Sequence, residues 1–351
     1  MKSKAAIQVE PGGPLAIDEI DIPDPGANQV TVRNFASGVC YSQVHQLRSP
    51  GLPRPMGLGH EGSGVVTQVG KDVTHVSEGD HVISTWVPRT PIRGLPVSKP
   101  TGATLQGRAI VADGDVYTWS EHMVTFAEKV VPMSPSDPID ISCLIGCAVL
   151  TGAGAVLHTA KIGLGQSVAV FGVGGVGLSA IGAATIAGAH PIIAVDLDDR
   201  KLQFAREFGA THGINASNTD AVKAIWEINP GGVDYALDAV GAPETALQIL
   251  GAVKEGGPRA DNQGGMAVLL GIPFADVSVD LNTILLHQRY YCGSLGATEP
   301  ETDFPLFLEW MREDKFPLGK LVTNRYSLEQ IDEAVVALEQ GQILGRAIIE
   351  L

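Results

Sequence analysis

The chain has 351 residues, 44% hydrophobic and 18% charged, enough apolar mass for more than one core and unlike a disordered chain. Its formal charge of −15 excludes a general nucleic-acid or anionic-membrane surface, since either needs clustered Lys and Arg. The cysteines, Cys40, Cys143, Cys147 and Cys292, are too few for a disulfide framework and read as reduced, cytoplasmic thiols.

The N-terminal MKSKAAIQVEPGG carries charges and lacks the apolar core of a secretory signal. From there to about residue 148 the chain is rich in Gly, Pro and β-branched residues. Short runs such as QVTVRNF, GSGVVTQVG and DHVIST predict strands joined by turns, as in a barrel-like β domain. A proline-rich piece without periodicity, VPRTPIRGLPVSKPTGATLQG, occupies 87–107. Residues 162–195 hold no Asp, Glu, Lys or Arg, long enough to span a bilayer. Their glycines and Pro191 break the stretch into strand, turn, helix and strand, which is the pattern of a buried α/β core and not of a membrane segment. SVAVFG, PIIAVD, VDYALDAVG and MAVLLG then read as buried strands, and DRKLQFAREFG and PETALQILGAVKEGG between them as helices. That alternation predicts βαβ units and a parallel sheet. PLFLEWMREDKF and SLEQIDEAVVALEQG read as helices, and GRAIIEL as a closing strand.

The chemistry begins with VAVFGVGGVGLSAI, which contains Gly172-x-Gly174-x-x-Gly177, with Gly175 and Val176 inside it. Spacing alone is weak, because a chain this glycine-rich gives roughly 0.6 chance matches. Context supplies the weight. The motif follows an apolar strand, opens an apolar helix, and is followed by a second strand ending at Asp196. This is a dinucleotide fingerprint, with a tight turn for the pyrophosphate and an acid for the ribose hydroxyls. Asp196 would repel a 2′-phosphate and residue 197 is Leu, so NAD is expected over NADP; Lys201 is near enough in sequence to reach the same ribose.

Cys40 in SGVCYSQVHQ, His60 in GLGHEGSGVV and Cys147 in CLIGCAVLTGAG lie in three separate segments. Two cysteines and a histidine are the ligand set of an open catalytic zinc site, with a fourth position for water or substrate. Cys143 and Cys292 read as packing residues.

Taken together, GVCYSQVH, GHEGSGVV, GDHVIS, LIGCAVLTGAGAV, VFGVGGVGLSAI and GRAIIEL make the chain resemble a zinc-dependent medium-chain dehydrogenase/reductase of alcohol dehydrogenase type. The resemblance runs over essentially the whole length. It implies an α/β protein in which a GroES-like, β-rich catalytic domain (1–148 and 297–351) accompanies a Rossmann domain with a doubly wound parallel sheet (149–296). It implies one catalytic zinc per chain on Cys40, His60 and Cys147, and NAD as cofactor. By position Ser42 is the hydroxyl facing the substrate oxygen, His45 the surface end of a proton relay through the ribose hydroxyls, and Glu61 the acid behind the metal. Thr151 and Arg346 match cofactor contacts, and Trp86 and Trp119 the large residues of the substrate pocket. The family also implies a homo-oligomer, a dimer or tetramer, acting on a small alcohol or aldehyde, with no nucleic-acid or membrane partner.

Two positions depart from the family. No cysteine lies between Cys40 and Cys143, so the second, structural zinc is not expected and 87–107 must hold its lobe by packing. Gln43 stands where an acid usually orients the zinc-bound histidine, and its amide oxygen is the substitute orienter. The nearest rival function is a zinc-free enone or quinone reductase of the same superfamily. The other is a non-catalytic nucleotide-binding protein, against which the Ser42–His45 pair speaks.

Overall fold

In a computed structural model that describes residues 1–91, 99–257 and 263–351, the chain divides into two units. The first comprises 1–148, 299–312 and 318–351, and the second 149–298 and 313–317.

The first unit is built around the strand Gln29–Gly38, which is buried along most of its length because both of its edges are paired. Glu61–Val69 covers one edge antiparallel. The other edge is shared, with His122–Phe126 on residues 29–33 and Arg346–Glu350 on residues 36–38. His81–Thr85 and Val130–Pro132 extend the sheet on one side, and Val322–Ser327 on the other. Val322–Ser327 was not expected from the sequence, since its polar outer positions hide the alternation. Of the predicted helices, PLFLEWMREDKF is helical only up to Arg312, in Pro300–Arg312, and SLEQIDEAVVALEQG forms the helix Ile331–Glu339.

The register matters most at one end of this sheet. Ser37 pairs with Gly62, so Val39 stands level with His60. Gly38 pairs with Ile348 and the Val39 N–H donates to the Ala347 carbonyl, which brings Arg346 level with Cys40. Segments distant in sequence are thereby delivered to one place by backbone pairing alone.

Of the proline-rich piece 87–107, residues 92–98 lie outside the described residues. Its flanks are laced by polar contacts: Arg89 pairs with Glu301, the Lys99 N–H donates to Asp115 at 2.7 Å, and buried Lys129 donates to the Trp86 carbonyl at 2.8 Å. The expectation of packing alone is therefore incomplete.

The second unit holds six parallel strands in the order His212–Asn215, Ile192–Asp196, Val168–Phe171, Tyr235–Asp238, Met266–Leu269, Tyr290–Gly293. This is the doubly wound order, reversing beside the first strand. The uncharged stretch resolves into strand Val168–Phe171, helix Gly175–Ile186 and strand Ile192–Asp196, and no described helix is long and apolar enough to cross a membrane. Residues 297–298 and 313–317 fall in this unit, unlike the expected boundary. The reason for the second excursion is Phe316, whose ring lies on Gly182 and edges Phe208, filling a hole in the helix surface.

Gly172 has φ of 80°, in the left-handed region, and a Cβ on Gly177 would overlap the Gly172 carbonyl oxygen. Gly177→Val should therefore cost about 2 kcal/mol or more of stability and abolish NAD binding, read by urea unfolding and by cofactor titration. A variant with wild-type values on both would show that the turn tolerates a side chain.

Candidate metal centre and nucleotide site

Cys40 lies where the strand Gln29–Gly38 gives way to the helix Tyr41–Arg48. His60 immediately precedes Glu61–Val69, and Cys147 follows the turn 141–146. That turn is pinned by the Thr85 hydroxyl, which donates to the Gly146 carbonyl at 2.8 Å, and by the Ala148 N–H, which donates to Glu61 Oε2 at 3.3 Å. Cys40, His60 and Cys147 are all buried, and their ligand atoms lie within 4.8 Å of one another.

This geometry fits zinc. Two thiolates bound tetrahedrally at about 2.3 Å lie roughly 3.8 Å apart, and Cys40 Sγ and Cys147 Sγ are 3.9 Å apart. The thiols differ in acidity. Cys40 is held well below the usual thiol range by the hydrogen bond from Cys147, against burial and with help from Arg346 and His60. Cys147, as the donor of that bond and by burial, is pushed up. Burial alone would lower His60, but its hydrogen bond and attraction to Cys40 leave it raised.

Glu61 is fully buried, and burial raises its carboxyl against the pull of Arg346. Arg346 Nη2 lies 2.9 Å from Glu61 Oε1 and 3.9 Å from Cys147 Sγ. Burial works against its charge, but Glu61, Cys40 and Cys147 together raise it. Arg346, expected as a cofactor contact, has its guanidinium buried against Glu61 and the Cys147 thiol, a second setting that the sequence reading missed. The signal was available in the sequence, because a buried acid beside a metal ligand requires a counter-charge. Gly38 was also overlooked; a Cβ there would overlap the Glu61 carboxyl, so only glycine leaves room for the acid.

Ser42 donates to Cys40 Sγ at 3.1 Å and stands 3.4 Å from His60 Nε2. His45 lies three residues further along the same helix, half-buried, its ring edge-on to Tyr41 at 5.3 Å. Gln43 departs from expectation. Its Oε1 accepts from the Cys40 N–H at 3.2 Å and caps the helix, so it does not orient His60, and its Nε2 has no partner among the described residues.

The two tryptophans occupy different settings. Trp119 is 1% exposed within a cluster containing Val44, Leu47 and Leu328, and its indole N–H donates to the Gly38 carbonyl at 3.1 Å. It has no free face, so its pocket role is corrected to a core role that braces Gly38. Trp86 follows the strand His81–Thr85 and is half-buried.

In the second unit Gly174 caps the helix that Gly175, Val176 and Gly177 begin. Asp196 Oδ2 accepts from the Val173 N–H at 2.9 Å and Oδ1 from the Leu197 N–H at 2.8 Å, so the acid both steadies the glycine turn and closes its strand. Lys201 is half-buried on the helix Asp199–Ala205, and Thr151 is buried on the helix Ala148–Gly154. Cys143 and Cys292 stand outside the cluster: Cys143 is buried and donates to the Asp140 carbonyl, and Cys292 lies in the last strand of the parallel sheet.

Comparison with known proteins gives a consistent picture. The sequence profile of the alcohol dehydrogenase GroES-like domain matches residues 26–135, and that of zinc-binding dehydrogenases matches 175–313. An alcohol dehydrogenase class-3 of Cereibacter sphaeroides is 32% identical over 99% of this chain and 100% of its own. Two crystal structures superimpose with a TM-score of 0.90: an alcohol dehydrogenase zinc-binding domain protein of Burkholderia ambifaria, 31% identical, and benzyl alcohol dehydrogenase of Acinetobacter calcoaceticus, 29% identical. Each comparison covers 100% of this chain and 99% of the other.

Replacing Arg346 by Met should leave Glu61 buried without its partner and cost about 3–5 kcal/mol, measured by urea unfolding. Combining it with Glu61→Gln should recover part of that loss; a single variant as stable as wild type would mean that the pair contributes nothing.

Proposed function

The chain belongs to the zinc-dependent medium-chain dehydrogenase/reductase family, alcohol dehydrogenase type, and from that premise we propose how its residues divide the work of oxidising an alcohol. The enzyme is an NAD-dependent alcohol dehydrogenase with zinc as its metal. The observation that carries the reading is the convergence of Cys40, His60 and Cys147, which favours it over a zinc-free reductase.

Cys40, His60 and Cys147 would hold the zinc, and the Ser42 hydroxyl stands beside Cys40 and His60. Zinc supplies Lewis acidity toward the alcohol oxygen, and NAD supplies the hydride acceptor. Ser42 takes the alcohol proton, since its hydroxyl lies beside two of the three ligands, and His45 on the same helix passes it to solvent. Glu61 and Arg346 fix the charge behind the ligands. Gly172, Gly174, Gly175, Val176 and Gly177 seat the pyrophosphate, and Asp196 with Lys201 the adenosine ribose, with Thr151 as a further cofactor contact. The half-buried Trp86 is proposed to line the pocket, which suits primary or flat aromatic alcohols; the likeness to benzyl alcohol dehydrogenase supports this class. The protein is further proposed to act as a cytoplasmic homo-oligomer.

A panel of alcohols and aldehydes, followed by the absorbance of the reduced cofactor, tests the reading. Turnover of enones or quinones alone would hand it to the zinc-free reductases. Elemental analysis should give about one zinc per chain, and Cys147→Ala should lose metal and activity together while circular dichroism stays unchanged. Ser42→Ala should lower kcat by about two to four orders of magnitude with zinc and NAD binding intact. If that variant kept most of its activity, the proton would have another acceptor.

A further inference from the structure

Asp238 is fully buried at the carboxyl end of the strand Tyr235–Asp238, and the chemistry above makes no use of it. Glu61, a carboxylate buried to the same degree, is paired with Arg346. Asp238 pairs with no cation among the described residues, and burial raises its carboxyl. A carboxylate kept out of water without a counter-charge must be held by hydrogen-bond donors. Three are present. Oδ1 accepts the Val240 N–H at 2.8 Å and the Gly241 N–H at 3.1 Å, and Oδ2 accepts the Thr245 hydroxyl at 2.9 Å. The Asp238 carbonyl accepts as well, from the N–H groups of Leu270 and Gly271 at 2.8 Å each. One residue therefore ties the turn 239–241 to the first turn of the helix Pro243–Ala252 and to the loop after the strand Met266–Leu269.

These pieces stand at the switch point of the sheet. Tyr235–Asp238 pairs with Val168–Phe171 on the side away from Ile192–Asp196. With Asp196 at the adenosine ribose, the opposite side of the glycine turn is left for the nicotinamide half of the cofactor. Backbones crowd there. A Cβ on Gly172 would overlap Val240 Cγ2, so Val240 rests on the first glycine of the pyrophosphate turn. A Cβ on Gly271 would overlap the Gly241 nitrogen. Val240 is nonetheless 43% exposed and Ile272 48%, apolar surface left open beyond the carboxyl ends of their strands. A nucleotide bound at the switch point covers such surface.

We propose that Asp238 is a positioning residue for the nicotinamide half of NAD, its carboxylate holding Val240 against Gly172 so that the cofactor meets a preformed surface. The proposal rests on the reading of Gly172 and Asp196 as the NAD site. Asp238 has no exposed surface and acts through Val240 and the backbone of 240–241. A turn ordered in advance does not have to be ordered by binding. The role needs acceptor oxygens and not a negative charge. In Asp238→Asn the remaining oxygen can keep both N–H groups, and the Thr245 hydroxyl can turn to accept from the amide.

The test uses the full-length, zinc-loaded enzyme and two ligands, NADH followed by its fluorescence and AMP followed by calorimetry. AMP occupies only the adenosine half of the site. Asp238→Ala should weaken NADH binding about ten- to a hundred-fold, the scale of one or two lost hydrogen bonds to a charged group, with AMP affinity and zinc content unchanged. Asp238→Asn should restore NADH binding to within about threefold of wild type. If Asp238→Ala fails to fold, Thr245→Val, which removes one donor, should show the same split on a smaller scale. Equal loss of NADH and AMP would leave Asp238 a structural acid, and unchanged NADH affinity would mean that Val240 needs no anchor; either result overturns the inference. An Asn variant no better than the Ala variant overturns it too, since charge and not acceptor geometry would then be what counts. Wild-type protein that does not bind NADH overturns the NAD site itself, and this inference with it.

Discussion

Everything at the metal centre depends on one buried ion pair. Glu61 and Arg346 are removed from water, and neither could be there alone, because an isolated charge in the interior costs several kcal/mol. Around the pair stand two thiols and a histidine. When both thiols ionise, the cluster of Cys40, Cys147, Glu61 and Arg346 carries two net negative charges, the complement of a divalent cation. The arginine also explains why two thiolates can be placed so close together in a dry site: its guanidinium lies against Cys147 and lowers the cost of the second negative charge. The site is therefore matched to its metal in charge as well as in geometry.

The fold makes this matching possible through register. Arg346 reaches Cys40 because the closing strand pairs with the end of Gln29–Gly38, and His60 reaches it because the neighbouring strand starts there. Around these backbones the space is tight. Gly38 admits the Glu61 carboxyl, and its carbonyl is held by the Trp119 indole. Trp119 thus acts on the centre from a distance, by fixing the backbone that makes room for the acid. Its neighbours Val44 and Leu47, on the helix that carries Ser42, tie that helix to the same core.

The readable part of the sequence was the part in which chemistry is local. The glycine turn announces itself because pyrophosphate binding needs three glycines at fixed spacing before a helix, and the strands of the second unit because buried parallel strands are continuous apolar runs. Cys40, His60 and Cys147 could be picked out because thiol and imidazole are rare and their surroundings are glycine-rich. What the sequence hid was choice of partner. Arg346 reads as a cofactor contact, and its place beside Glu61 becomes visible only through the register at Gly38. Gln43 could face His60 or its own helix; a free N–H on Cys40 captured it. Trp119 could line a cavity or fill one, and the cluster that encloses it joins residues 6–58 to residues 328–349, far apart in sequence. The short visit of 313–317 to the second unit depends on a hole over Gly182 that no local pattern reveals.

The strand Arg346–Glu350 is an inner strand of its sheet, flanked by Gln29–Gly38 and Val322–Ser327. Domains fold as units and mostly in order of synthesis. The second unit needs nothing beyond residue 317, so all of its strands are available while the ribosome is still at work. The metal centre has no such head start. The proposed ligands all lie at or before residue 147, yet the positive charge beside them comes from Arg346, 199 residues after Cys147. A nascent chain therefore carries the thiols before it carries their counter-ion. Pairing of the strand Arg346–Glu350, not the appearance of the last thiol, brings that counter-charge into place.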